Sequence, residues 1–91
     1  MENLDDLLRN DEKVYVTVFE KRTAEGKLTP LYFVWEDNVR YKIDEVGEVR
    51  RAASTKAGGV GIRYNVRVGD KWNYMWLEDS KDGDRWFMER K

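Results

Sequence analysis

Residues 49–69 contain Arg50, Arg51, Lys56, Arg63 and Arg67 and not one carboxylate. Cations gathered in one window suit phosphates or other anions, and a polyanion held this way is released by salt. The same window includes Lys56-Ala57-Gly58-Gly59-Val60-Gly61, a glycine-rich backbone beside a lysine. It lacks the Lys-Ser/Thr pair that opens the helix of a phosphate loop, and β-patterned runs flank it, so a bulged hairpin loop is the simpler reading. Arg63 and Arg67 alternate with Ile62, Tyr64, Val66 and Val68, which puts both arginines on one side of a strand. Arg50, Arg51, Lys56, Arg63 and Arg67 are therefore the candidate nucleic-acid-binding residues. The opposing expectation is that Arg63 and Arg67 are ordinary solvent-facing residues paired with acids such as Asp44, Glu48 or Glu78.

Other chemistry is thin. The chain has no histidine and no cysteine, which removes the commonest general base, the thiolate nucleophile and the commonest metal ligands. Asp79-Ser80-Lys81-Asp82-Gly83-Asp84 has neither the carboxylate spacing nor the terminal glutamate of a calcium loop, and Lys81 sits among the would-be ligands. Asp5-Asp6, Glu36-Asp37 and Asp44-Glu45 are sequence neighbours, and in a strand neighbours face opposite ways with no nucleophile between them. The expectation is a non-enzymatic protein with no catalytic residue, metal site or small-molecule cofactor.

The elements that must position these residues are strands. Period-2 apolar runs occur at 14–19, 31–35, 41–43, 62–68, 72–77 and 86–88, each bearing an aromatic and each closed by Gly, Asn, Asp or Pro. The expected strands are 13–22, 28–36, 39–50, 61–69, 71–78 and 85–90. Glu25-Gly26 and Gly69-Asp70 read as hairpin turns, and Asp37-Asn38 as a tight two-residue link. Gly47 interrupts the third run and predicts a bulge or sharp bend. Strand 28–36 and strand 71–78 are apolar on both sides, so each needs cover on both or leaves an apolar patch. Leu31, Phe33, Trp35, Tyr41, Ile43, Ile62, Tyr64, Val66, Trp72, Trp76 and Trp86 are the expected core.

Ninety-one residues suit one small core, since a chain of this size buries only about 60–65% of its unfolded surface. Residues 1–12 carry Glu2, Asp5, Asp6, Asp11 and Glu12 against Arg9 alone, with Leu4, Leu7 and Leu8 at helical spacing. This stretch reads as a helical or disordered segment, followed by a β-barrel domain over 13–91. It has no apolar signal region, and nothing in the chain approaches the ~20 apolar residues of a spanning helix, so a cytoplasmic protein without membrane contact is expected.

The string Pro30-Leu31-Tyr32-Phe33-Val34-Trp35-Glu36-Asp37-Asn38-Val39-Arg40-Tyr41-Lys42-Ile43, with Arg50-Arg51 and the closing Arg85-Trp86-Phe87, resembles a family of short uncharacterised bacterial proteins. Those chains share a Pro-x-x-Phe-x-Trp segment, a turn, Tyr-x-Ile or Tyr-x-Val, and a final tryptophan-bearing strand. The likeness runs over about residues 30–88. It implies no activity and transfers no site residues. Some members of that family are encoded near error-prone DNA polymerases, which bears on the nucleic-acid reading. Together these observations predict an all-β protein, a small antiparallel barrel or strongly bent sheet of five to six strands, SH3-like or OB-like in size, behind a short N-terminal helical segment. The expected function is that of a binding module for a protein partner, with nucleic acid as the alternative.

Overall fold

In the computed structural model, residues 13–54, 60–79 and 83–90 are described, and the N-terminal segment expected over 1–12 lies outside them. The alternating runs form seven strands: β1 (Lys13–Arg22), β2 (Leu28–Val34), β3 (Arg40–Lys42), β4 (Glu45–Ala53), β5 (Val60–Val68), β6 (Lys71–Glu78) and β7 (Arg85–Glu89). All pairings are antiparallel, in one sheet of order β3-β2-β1-β7-β6-β5-β4. The sheet curls into a half-barrel, and no helix occurs among the described residues.

The expectation of five to six strands is corrected by one corner. The run over 39–50 is not one strand but two, β3 and β4, at opposite edges of the sheet. Ile43 N–H donates to the Leu31 carbonyl of β2 while Asp44 N–H donates to the Arg67 carbonyl of β5. Successive residues thus bond to strands on opposite halves of the sheet, and the buried Ile43 side chain anchors the crossing. The Asp44 carboxylate holds it from the other side by accepting from Gly69 N–H at 2.7 Å. Gly47 is not the corner; it lies in a bulge between Val46 and Val49, where the β4–β5 register shifts. The link after β2 is also one residue longer than expected. Trp35 and Val39 bond across Glu36, Asp37 and Asn38, and Asn38 takes the left-handed conformation (φ 63°) that closes such a loop. Gly69 (φ 62°) turns β5 into β6 as expected.

Register decides which side each residue takes. Ile62, Leu77, Trp86 and Val16 form one row across β5, β6, β7 and β1; Tyr64, Met75, Met88 and Val14 form the next. These rows meet Phe33 and Ile43 to make the core of the concave side, with Trp35, Tyr41 and Val46 packed against it. The Tyr64 hydroxyl donates to the Leu28 carbonyl at 3.2 Å and the Trp86 Nε1–H to Glu20 at 2.8 Å, so the polar tips of both core aromatics are satisfied. Burial raises the Tyr64 pKa above its ordinary value. Of the expected core, Leu31 and Trp72 are exposed instead, while Val14, Met75, Phe87 and Met88 join the buried set.

Candidate functional site

The convex side carries the unusual chemistry. A single register row places Arg50, Arg63, Trp76, Phe87 and Tyr15 side by side across β4, β5, β6, β7 and β1. Trp76 and Phe87 stack nearly parallel, with centroids 5.3 Å apart. Tyr15 meets the Phe87 ring edge-on at 6.1 Å, and Tyr74 tilts against Trp76 at 6.0 Å. Cations cap this ladder: the Arg63 guanidinium lies 4.2 Å over Tyr74, Arg85 4.3 Å over Tyr15, and Lys13 Nζ 4.6 Å over Phe87. A second cluster sits further along the same side, where Phe19 and Tyr32 stack at 4.6 Å under Arg40. Trp72 and Arg67 extend the ladder at the β5–β6 turn, the Trp72 ring lying against the Gly47 bulge.

Most of these cations are already engaged. Lys13 Nζ and the Tyr15 hydroxyl both donate to Glu78, at 3.0 and 2.9 Å, and Arg85 donates to the same carboxylate at 3.2 Å. Burial alone lowers the Lys13 pKa, but the hydrogen bonds and charges of Glu78 and Tyr15 outweigh it and the ammonium titrates above the ordinary lysine value. Burial likewise raises Glu78, yet Lys13, Tyr15 and Arg85 together hold its carboxyl below the ordinary glutamate range. Arg63 pairs with Glu48 at 3.4 Å and Arg67 with Glu45 at 3.1 Å.

The structure divides the five cations singled out in the sequence. Arg50, Arg63 and Arg67 share the convex side, whereas Arg51 stands in register with Ile62 and so belongs to the opposite side. Lys56 lies outside the described residues. The acid partners of Arg63 and Arg67 are Glu48 and Glu45; Asp44 and Glu78 bond elsewhere. Sequence reading missed the ladder itself. Its signal was present in the second faces of the doubly apolar runs, Trp72-x-Tyr74-x-Trp76 and Tyr15 beside Val14 and Val16, where aromatics occupy what reads as the solvent side.

A second candidate lies at the open end of the half-barrel. A cleft of about 800 Å³ is floored by Phe33, Trp35, Tyr41, Val68 and Met88. The Arg90 guanidinium forks onto the Glu36 carboxylate at its rim, one bond at 2.9 Å, and this contact lowers the Glu36 pKa. Tyr41 donates to Asp37 at 2.9 Å beside it, which raises the tyrosine pKa. No cluster of His, Cys, Asp and Glu among the described residues is arranged to hold a metal ion. In comparison with known proteins, no family model matches the chain, and no curated protein and no solved structure matches it.

Proposed function

We propose that this protein is a non-enzymatic binding module that engages a protein partner through the aromatic rim of its convex side. The observation that carries this reading is the pairing of large exposed aromatics with cations that already have acid partners. Tyr15, Trp72 and Tyr74 stay more than two-fifths exposed on one side, while Lys13, Arg63, Arg67 and Arg85 each face a glutamate. A polyphosphate gains most from unpaired cations, whereas a protein surface gains from exposed aromatics ringed by cations that already have acid partners. Nucleic acid is the second reading, favoured by Arg50 and Arg51, which have no ion pair among the described residues.

Salt separates the two. Wild type and the triple variant Tyr15→Ser/Trp72→Ser/Tyr74→Ser are offered a lysate of the source organism at 1 M NaCl. A protein retained by the wild type and lost by the variant supports the proposal; equal retention by both removes it. The same pair is titrated with single-stranded DNA, duplex DNA and RNA at 0.15 M salt. Binding there, lost in Arg50→Glu/Arg63→Glu, overturns the proposal in favour of nucleic acid.

A further inference from the structure

The far end of the convex side is built differently from the ladder. Lys42, Tyr32 and Phe19 form one register row across β3, β2 and β1, and Arg40, Val34 and Thr17 form the row beside it. Past the β1 bulge, Thr29 and Lys21 continue the same side. Their neighbours turn to the core instead, Leu28 by packing on it and Glu20 by accepting from Trp86. The charges of these rows are Arg40, Lys42 and Lys21, with no carboxylate among them. All three are exposed, and none has an ion pair among the described residues. The acids closest in sequence are engaged elsewhere: Glu36 with Arg90, Asp37 with Val39 N–H and the Tyr41 hydroxyl, and Asp44 with Gly69 N–H.

We propose that this end of the sheet is a binding site for single-stranded nucleic acid, with Arg40, Lys42 and Lys21 on its phosphates and the Phe19–Tyr32 pair as the platform for its bases. Phe19 and Tyr32 stack with centroids 4.6 Å apart and 22° between their planes, and Phe19 stays 42% exposed. The Arg40 guanidinium lies 4.7 Å from the Tyr32 centroid and 5.5 Å from that of Phe19. The rings hold this guanidinium in place without using its N–H donors, so the fork is free to take two oxygens of one phosphate. Every base has a π-face and stacks on an exposed ring, whereas a duplex keeps its bases stacked on one another. The rows extend about 15 Å along the strands and about 10 Å across them, room for a short stretch of chain rather than one nucleotide. The ladder lacks this combination, because Lys13, Arg63, Arg67 and Arg85 each already face a glutamate. The inference therefore stands whether or not a partner protein engages Tyr15, Trp72 and Tyr74.

The test titrates the full chain into fluorescein-labelled oligothymidylate and oligouridylate of about 12 nucleotides, read by anisotropy at about 0.15 M salt. Duplex DNA and polyglutamate of matched length are run beside them. The wild type should bind at least one single strand more tightly than the duplex or the polyglutamate. Arg40→Glu/Lys42→Glu should weaken that binding at least about tenfold and flatten its salt dependence. Phe19→Ser should weaken it about fivefold or more with the salt dependence unchanged, which a patch acting by charge alone would not do. No single-strand binding by the wild type overturns the proposal, as does equal affinity for duplex or polyglutamate. Loss in Arg50→Glu/Arg63→Glu with full binding in Arg40→Glu/Lys42→Glu moves the polyanion to the ladder and overturns it too. An unchanged affinity in folded Phe19→Ser removes the stacking platform; if that variant fails to fold, the exposed charge reversal and the duplex comparison decide.

Discussion

Trp86 and Trp76 stand on neighbouring strands and face opposite sides of the same sheet, and both are nearly fully buried. Trp86 belongs to the concave core, tilts against Tyr64 at 5.0 Å and spends its N–H on Glu20. Trp76 lies on the convex side, stacks on Phe87 among arginines, and leaves its N–H unpaired. Equal burial therefore hides two roles. The first indole is packed into the core cluster with its polar tip satisfied. The second is as buried as a core residue but belongs to the row of aromatics and cations on the convex side.

Truncation should separate the two sides most sharply. Trp86→Ala removes the ring around which Tyr64, Met75 and Met88 pack, and a loss of about 3–5 kcal/mol in urea unfolding is expected. A loss under ~1 kcal/mol would mean the concave side is not the stabilising core. The Trp→Phe pair sharpens the comparison. Trp86→Phe leaves Glu20 without its donor and should cost ~1.5–3 kcal/mol. Trp76→Phe deletes a donor that was unpaired already, so its cost should be the smaller of the two; the reverse order would show that the Trp76 N–H has a strong acceptor.

Gly61 probes how closely the strands of the curl approach. A Cβ there would meet the Leu77 carbonyl oxygen at 2.3 Å, a backbone atom that cannot rotate away. Gly61→Ala should cost about 1–3 kcal/mol by displacing β5 from β6. Gly47→Ala meets the side-chain ring of Trp72 first, at 3.0 Å, with the Asn65 carbonyl at an ordinary contact distance of 3.5 Å, and should cost less while shifting Trp72 fluorescence. Equal costs would show that the Trp72 ring is held as rigidly as backbone.

The smallest effect belongs to the clasp of Lys13, Tyr15 and Glu78. Because the Glu78 pKa is depressed in the folded chain, its contribution is complete above the ordinary glutamate value. It is lost as pH falls from there through the depressed value. Lys13 is raised, so its contribution is complete below the ordinary lysine value and is lost as pH rises through the raised one. Glu78→Gln should lower the neutral plateau by up to about 1 kcal/mol, as expected for a clasp near the surface, and leave stability at the acid end unchanged, so that the acid limb of a stability–pH profile flattens. An unchanged acid limb would show that the carboxylate is not engaged in solution.

The strands, most turns and half the core were legible because they follow from neighbours along the chain. Alternation marks a strand wherever one side is buried, and Asn38 and Gly69 announce left-handed turns by residue type. Phe33, Ile43, Tyr64, Val66, Trp76 and Trp86 are buried as expected. The split of 39–50 was not legible, because nothing local distinguishes a continuous strand from two strands bonded to different partners at Ile43 and Asp44. The candidate surface was legible only in part. Arg63 and Arg67 fell on one side by alternation alone, but their glutamates depend on the register of β4 against β5, bulge included.

By itself, then, the sequence determined an all-β chain, most of the turn positions and the two-sidedness of each strand, since the extended backbone imposes a two-residue period regardless of what lies beside it. Only the tertiary structure decided which of two apolar sides became the core. β6 offers Met75 and Leu77 on one side and Trp72, Tyr74 and Trp76 on the other, and hydrophobicity alone favours the tryptophans. The direction of the curl chose the smaller pair for the concave interior, where Tyr64, Trp86 and Met88 already fill the volume. The larger rings were left to the convex side, where Trp76 joins a row that exists only once β4, β5, β6, β7 and β1 are in register. Sidedness is a property of one strand; a surface of five strands is a property of their pairing.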